Sequence, residues 1–487
     1  MSELEKYFNQ FREGIIGIDA CYESPYGLKK LIYADWIASG RLYRPIEEKM
    51  LNQFGPMVAN THTESSETGK FMTDSYHLAQ KLIKKHVNAG PSDVIISCGF
   101  GMTAVVNKFQ RILGLKNKGI VFKSPEERPI VFVTHMEHHS NQTSWYETTA
   151  EVVVVEPDEN LLVSPEKLRE AIKPYRNRPL KIGSFSACSN VTGIITPYHK
   201  LAKVMHEEQG LCFVDFAASA PYVEMNMHPE DPMEKLDAVF FSPHKFLGGP
   251  GSSGIMIFDS SLYHNLVPDQ PGGGTVDWTN PWGEYKYIDN IEQREDGGTP
   301  GFLETIRAAL SIKLKERMGV ENIHRREQEL IELAFKKLDK TPEVKILAKN
   351  DRNRIGAISL YIEDVHYNLL TKMLSDRFGV QVRGGCVCAG TYGHFLLSVT
   401  KEQSDEITCL INTGDLSKKP GWIRWSIHPT TTNKEVEFIA DAIHQIALNH
   451  TEWAKDYHYH SNINEFHHNS TPENFSNPSI DRIFEFD

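Results

Sequence analysis

Residues 238–259 read AVFFSPHKFLGGPGSSGIMIFD. A short apolar run ends in Ser242-Pro243-His244-Lys245, breaks into a glycine-rich stretch, and resumes as a second apolar run at 254–259. Both runs have strand length and are rich in β-branched and aromatic residues, which suits strands buried on both faces. The same kind of run recurs outward from this stretch: DVIISCG (93–99), PIVFVTH (129–135), AEVVVVE (150–156), LKIGSFSA (180–187) and LCFVDFA (211–217). Amphipathic segments separate the runs, among them YHLAQKLIKKHV (76–87), PEKLREAI (165–172) and YHKLAKVMHEE (198–208). This alternation predicts an α/β domain over about 31–319, with a mostly parallel seven-stranded sheet flanked by helices. After the glycine-rich PGGGTVDWTNPWGEY (271–285) and a long helical stretch, AISLYIED (357–364), GVQVRGG (379–385) and WIRWSIH (422–428) mix with helical segments. They predict a smaller α+β domain over about 320–450. The first 30 residues are expected to pack with that domain or across a subunit interface. Residues 451–487 form a polar, His- and Asn-rich tail, for which an extended or mobile segment is favoured over a metal site.

A lysine at the end of a buried run is costly unless something uses its amine. Asp215 ends another such run, 30 residues upstream of Lys245. A lysine able to form a Schiff base, paired with a carboxylate able to hold a pyridine nitrogen protonated, is the skeleton of a pyridoxal 5'-phosphate site. Ser242 and His244 flank the lysine. CGFGMTAVVNKFQRIL (98–113) reads as strand, glycine turn and helix. It offers free backbone N–H groups around Gly101 and Met102, with the helix dipole, to a phosphate, and Thr103 can add a hydroxyl. His138, just after the run 129–135, can lie on a cofactor ring or move protons. Cys386 and Cys388, in VRGGCVCAG (382–390), make a C-x-C pair with no second pair, which is poor support for zinc, and no metal site is assigned. A thiol in this loop beside Arg383 suits a nucleophile. Arg424, an arginine within an apolar strand, calls for an anion, either a substrate carboxylate or a structural salt-bridge partner.

Composition narrows the function classes. The chain has 487 residues, with 40% hydrophobic and 24% charged, as in ordinary globular proteins. A net charge of −12 argues against nucleic-acid or anionic-membrane partners. The N-terminus lacks a signal-peptide core, and no apolar run is long enough to span a bilayer. Seven scattered cysteines suit a reducing compartment, and a cytoplasmic location is expected.

Taken in order, these motifs resemble the class V aminotransferase family of fold-type I pyridoxal-phosphate enzymes, and within it the cysteine desulfurases. The resemblance runs from YADWIASG near Tyr33 to SIHP near His428. EHHSN (137–141) is similar to the segment whose first histidine, here His138, stacks on the ring. SNVTG (189–193) implies a cofactor or substrate contact for Asn190. DFAA supplies Asp215, and SPHK supplies Ser242, His244 and Lys245. REDGGTP (294–300) implies that Thr299 reaches the phosphate of a neighbouring subunit, hence a homodimer. RGGCVCAG implies a persulfide-forming cysteine at Cys388 rather than Cys386, and RWS implies that Arg424 grips an amino acid carboxylate; Arg383 is a further candidate for substrate binding. GGGTV, REDGGTP and the RxGCxC spacing are similar to the N-terminal domain of molybdenum cofactor sulfurases. Two positions depart from desulfurases: Ala218 stands where many have glutamine, and Met102 replaces a phosphate-loop threonine. The long interval from Cys388 to Arg424 predicts an extra helix and loop at the site mouth. The resemblance implies removal of sulfur from L-cysteine or a related amino acid, with a sulfur acceptor protein as partner. An aminotransferase, epimerase or C–S or selenocysteine lyase without persulfide, and a catalytically inactive binding protein, are the alternatives.

Overall fold

The computed structural model describes residues 2–117, 119–470 and 478–486, so residues 471–477 and 487 of the polar tail lie outside it. Among the described residues the large sheet has seven strands: Asp93–Cys98 (β1), Ile130–Thr134 (β2), Glu151–Val155 (β3), Lys181–Ser186 (β4), Leu211–Asp215 (β5), Ala238–Phe241 (β6) and Gly254–Asp259 (β7). Their order is β1-β7-β6-β5-β4-β2-β3. Strands β2 to β6 pair in parallel, while β7 runs antiparallel to both β1 and β6. Every residue of β2, β4 and β6 is buried, because helices cover both faces; β2 and β6 are accordingly apolar almost throughout, without alternation, while β4 also buries Lys181, Ser184 and Ser186.

One face packs against Glu67–His86 (α1) and Phe302–Met318, through Ile83, Ile95, Phe185, Val214 and Ile312. The other packs against Met102–Ile112 (α2) and His139–Tyr146 (α3), where Phe109, Trp145, Phe213 and Phe258 meet. Phe109 contacts the rings of Phe213, Phe240 and Phe258 at centroid distances of 4.8–5.7 Å. Burying each such ring contributes about 1.5–3 kcal/mol.

The C-terminal part is built on an antiparallel sheet of four strands, Val344–Ile346 (β8), Ala357–Ile362 (β9), Arg383–Gly385 (β10) and Trp422–Ser426 (β11), ordered β8-β9-β11-β10. Helices Val320–Leu338, Tyr367–Phe378 and Asn433–Trp453 cover it through Leu330, Leu374 and Ile443. The N-terminal helix Glu3–Arg12, capped by Ser2, buries Phe8 and Phe11 beside Trp36, Met318 and Ile323. Between Cys388 and Arg424 lie two helices, Gly390–Leu396 and Lys401–Asn412. The segment from 451, expected to be an extended or mobile tail, instead begins with the end of the helix Asn433–Trp453 and continues into a folded hairpin, Tyr457–His460 (β12) and Glu465–His468 (β13). Among the described residues no helix is long and apolar enough to cross a membrane.

Candidate active site

The carboxyl ends of β1, β2, β4, β5 and β6 open toward one side of the large sheet, the side on which open α/β sheets bind ligands. A cavity of about 680 Å³ lies there. It is lined by Gly101, Met102, Thr103, His138, Asn190, Asp215, Ser242, His244 and Lys245 from the large sheet side, and by Arg383, Cys388 and Arg424 from the C-terminal part. Of the residues singled out from sequence, Thr299 and Cys386 are not in this lining; Thr299 is exposed in the loop before Phe302–Met318.

At one end the loop that leads into α2 meets Ser242 and His244. The Met102 N–H, at the start of α2, donates to Ser242 Oγ at 2.9 Å. Gly101 has φ +143, and a Cβ there would lie 2.8 Å from His244 and 3.0 Å from Ser242 Oγ, so only glycine lets the loop close over these side chains. Thr103 and Ser140 share a 2.6 Å hydroxyl–hydroxyl hydrogen bond. Burial and the neighbouring Lys245 lower His244 to about 4, so it is neutral at physiological pH.

Asp215 sits deep in the cavity and accepts from the Ala217 N–H at 2.8 Å. Burial raises it to about 6, more than the Ala217 bond and Lys245 lower it. A buried carboxylate in this state is stabilised by a cationic N–H donor. His138 caps α3 and accepts from the Ser140 N–H at 3.1 Å. Burial, then the charge of Lys245, lowers it to about 3. Beneath it, Glu137 ties the ends of β2 and β4: it accepts from Thr134 Oγ1 at 2.7 Å, Ser186 Oγ at 2.6 Å and Asn141 Nδ2 at 2.7 Å.

Lys245 ends the short 3-10 turn Pro243–Lys245. The loop of YADWIASG crosses against this turn: the Gly40 N–H donates to His244 O at 2.9 Å, and a Cβ on Gly40 would strike Phe246 O at 1.9 Å. Burial lowers the Lys245 amine to about 8, partly countered by Asp215. A large fraction of it is therefore the neutral, nucleophilic form at mildly alkaline pH.

Arg424 is 3% exposed, and its anion within the chain is Asp35. Nη2 donates to Asp35 Oδ1 at 2.7 Å and Nη1 to Asn190 O at 3.0 Å, while Nε is buried without a hydrogen-bond partner. Arg383 Nε donates to the other Asp35 oxygen at 3.0 Å. One carboxylate thus aligns two guanidiniums on the cavity wall. Asp35 and Glu137 carry no role in the sequence reading; the available signal was an acid within an apolar and aromatic stretch for Asp35 and an acid just past an apolar run for Glu137.

Cys388 is exposed and lines the cavity, whereas Cys386 does not. Val387 and Cys388 both adopt left-handed backbone, with φ of 44° and 62°. Their carbonyls are held from the large sheet side: Val387 O by Asn190 Nδ2 at 2.7 Å, and Cys388 O by the His139 N–H at 2.8 Å. His139 Nε2 in turn accepts from the Gly390 N–H at 3.0 Å.

Ser242 and His244 beside the start of α2, the buried carboxylate of Asp215, the amine of Lys245 and the guanidinium of Arg424 thus share the walls of one cavity, and this arrangement belongs to a known class of protein. Residues 32–439 match the family model for aminotransferase class-V, and the chain belongs to that family. Curated relatives named "Probable cysteine desulfurase" include one from Staphylococcus aureus, 28% identical over 370 residues (74% of this chain, 84% of the relative). Another, from Halalkalibacterium halodurans, is 26% identical over 367 residues with the same coverage. The fold is shared with the apo cysteine desulfurase from Thermococcus onnurineus NA1 (TM-score 0.72, 22% identity, covering 90% of this chain and 98% of that one). It is shared also with the Escherichia coli cysteine desulfurase CsdA in its S-sulfonic acid form (TM-score 0.70, 20% identity, 91% and 98% coverage).

Proposed function

We propose that the chain is a pyridoxal-phosphate-dependent cysteine desulfurase that takes sulfur from L-cysteine, or a related amino acid, onto Cys388. The observation that carries this reading is that Cys388, and not Cys386, lines the cavity that holds Lys245, Asp215 and Arg424. The names of the curated relatives point the same way.

The residues fit the cofactor. Met102, Thr103, Ser242 and His244 would hold its phosphate, and Asp215 its ring nitrogen. His138 would face the ring. The hydrogen-bond capacity of Asn190 Oδ1, buried and unpartnered, is free for a ligand. When bound, pyridoxal phosphate supplies an aldehyde for the amines and an electron sink.

The chain's own residues do the rest. Arg424, aligned by Asp35 and retaining an unpartnered Nε, would orient the substrate carboxylate. Lys245, with its amine lowered to about 8, would remove the α-proton. His138, kept neutral by burial and by the charge of Lys245, would help with proton movements in the site. Cys388 Sγ attacks the substrate sulfur; the substrate C–S bond breaks, an S–S bond forms, and L-alanine and a persulfide on Cys388 result. A sulfur acceptor protein would then collect the sulfur at the exposed Cys388. We also infer a homodimer, in which the exposed Thr299 serves the partner's phosphate site, and a cytoplasmic location, in keeping with seven free cysteines.

The test is to supply L-cysteine with a reductant and measure alanine and sulfide. Wild type is expected to form both in equal amounts, and Cys388→Ala neither. Undiminished turnover in Cys388→Ala overturns the persulfide route. Racemised substrate or a keto acid without sulfide favours an epimerase or aminotransferase on the same site.

A further inference from the structure

The hairpin of β12 and β13 takes no part in the cavity around Lys245, yet its sequence is unusual. It reads Tyr457-His458-Tyr459-His460, a turn, and Glu465-Phe466-His467-His468. The antiparallel register pairs Tyr457 with His468, His458 with His467, Tyr459 with Phe466, and His460 with Glu465. Side chains alternate along a strand, so one face carries Tyr457, Tyr459, Phe466 and His468, and the other His458, His460, His467 and Glu465.

The first face is anchored to the C-terminal part of the chain. The rings of Tyr459 and Phe466 each lie 5.3 Å from the ring of His366, and His468 lies 5.2 Å from Tyr26. In the turn, Asn464 donates to Tyr367 Oη at 2.7 Å, and its carbonyl accepts from Asn368 Nδ2 at 2.5 Å.

The second face gathers three imidazoles. Ring centroids are 4.8 Å apart for His458 and His460, 4.9 Å for His460 and His467, and 5.8 Å for His458 and His467. One nitrogen from each ring lies within 4.8 Å of the others. A tetrahedral zinc with bonds of about 2.0–2.1 Å needs nitrogens roughly 3.3 Å apart, within reach of small ring rotations. A second observation is independent of this spacing. Nε2 of His458 and Nε2 of His460 are both buried without a hydrogen-bond partner, which costs free energy in a metal-free imidazole. Meanwhile Nδ1 of His458 pairs with Asn469 Oδ1 at 3.2 Å, and Nε2 of His467 with Glu465 Oε2 at 3.2 Å. Such contacts fix the ring tautomer and leave the opposite nitrogen with its lone pair, as outer partners of metal-bound histidines do.

We propose that His458, His460 and His467 form a site for one divalent transition-metal ion of the imidazole-binding kind, with zinc as the expected ion. A fourth position is left to water beside Glu465. Two ligands come from β12 and one from β13, so the ion clips the two strands together.

The experiment uses the full chain loaded with its cofactor, stripped of metal by a chelator and titrated calorimetrically with zinc chloride. One zinc per chain is expected at this site. Cobalt substituted for zinc is expected to give the weak visible bands of nitrogen and oxygen ligands, with no sulfur-to-metal charge transfer. That spectrum separates the hairpin from Cys386 and Cys388 and needs no variant. The double variant His460→Ala/His467→Ala should weaken zinc binding by at least about a hundredfold, and Asn469→Ala by about tenfold. Turnover of L-cysteine by the double variant should match wild type. Wild type that takes up no zinc, a cobalt spectrum with sulfur ligation, or a double variant with wild-type affinity overturns the proposal.

Discussion

The carbonyl of Cys388 accepts a 2.8 Å hydrogen bond from the amide of His139. The cysteine loop of the C-terminal part is thereby tied to the helix that His138 caps. The His139 ring completes the tie by accepting from the Gly390 amide. His139→Ala removes the ring contact but keeps the backbone one. Turnover of L-cysteine is expected to fall by about ten- to a hundredfold, because small displacements of a reacting group carry costs of this size. Cofactor absorbance should be unchanged. Equal kcat for variant and wild type in an alanine-formation assay would show that the tie does not position Cys388.

Lys245 has one irreplaceable chemical property, its amine. Lys245→Ala should lower turnover by a factor on the order of 10²–10⁴, the usual range for losing a positioned acid–base group. Borohydride should fix the cofactor covalently to wild type and not to the variant, with mass spectrometry of the peptide containing Lys245 as readout.

Asp35 pairs with two arginines, one of them 3% exposed. Asp35→Ala leaves the Arg424 charge buried without its anion. A loss of about 3 kcal/mol in a urea titration is expected. Added acetate, by supplying a carboxylate, should recover part of it.

Asp215 and Lys245 make the cofactor-free chain sensitive to pH. Burial raises the Asp215 carboxyl from 3.8 to about 6, so the stability conferred by its protonated form is complete below about pH 3.8 and lost as pH rises through 6. Burial lowers the Lys245 amine from 10.5 to about 8, so the stability conferred by its neutral form is complete above 10.5 and lost as pH falls through 8. Both charges weigh on the fold between pH 6 and 8. Cofactor-free Asp215→Asn should therefore exceed wild type in stability at pH 7, by on the order of 2–3 kcal/mol, with the gap closing toward pH 4. Denaturation curves at the two pH values check this; a gap independent of pH would assign it to another cause. The same variant should bind pyridoxal phosphate more weakly.

Lys245 and Asp215 are legible in the sequence because each ends a continuous apolar run, and a charge at such a place has few structural uses. The sheet is legible for a related reason: β2 and β6, buried on both faces, are apolar almost throughout. The partnership of Asp35 with Arg424 is not, since 389 residues separate them and only the folded chain brings them together. Cys388 is set apart from Cys386 in the sequence only by resemblance of RGGCVCAG to a family segment; the glycine-rich setting is common to both thiols, and in the fold Cys388 is the one that lines the cavity. The tail is a different case. Its Tyr-His-Tyr-His alternation has the period of a strand, but the polar composition around it masks that period, and the histidines of β12 and β13 meet only through the register of the hairpin.

The left-handed backbone at Val387 and Cys388 stores conformational energy, of order 1–3 kcal/mol for each non-glycine residue so held. Two hydrogen bonds to their carbonyls, from Asn190 and His139, keep the loop cocked over the cavity. The thiol thus rides on a sprung arm: breaking those two bonds would let the backbone relax, and the relaxation would offset part of the work of moving the thiol outward from the cavity.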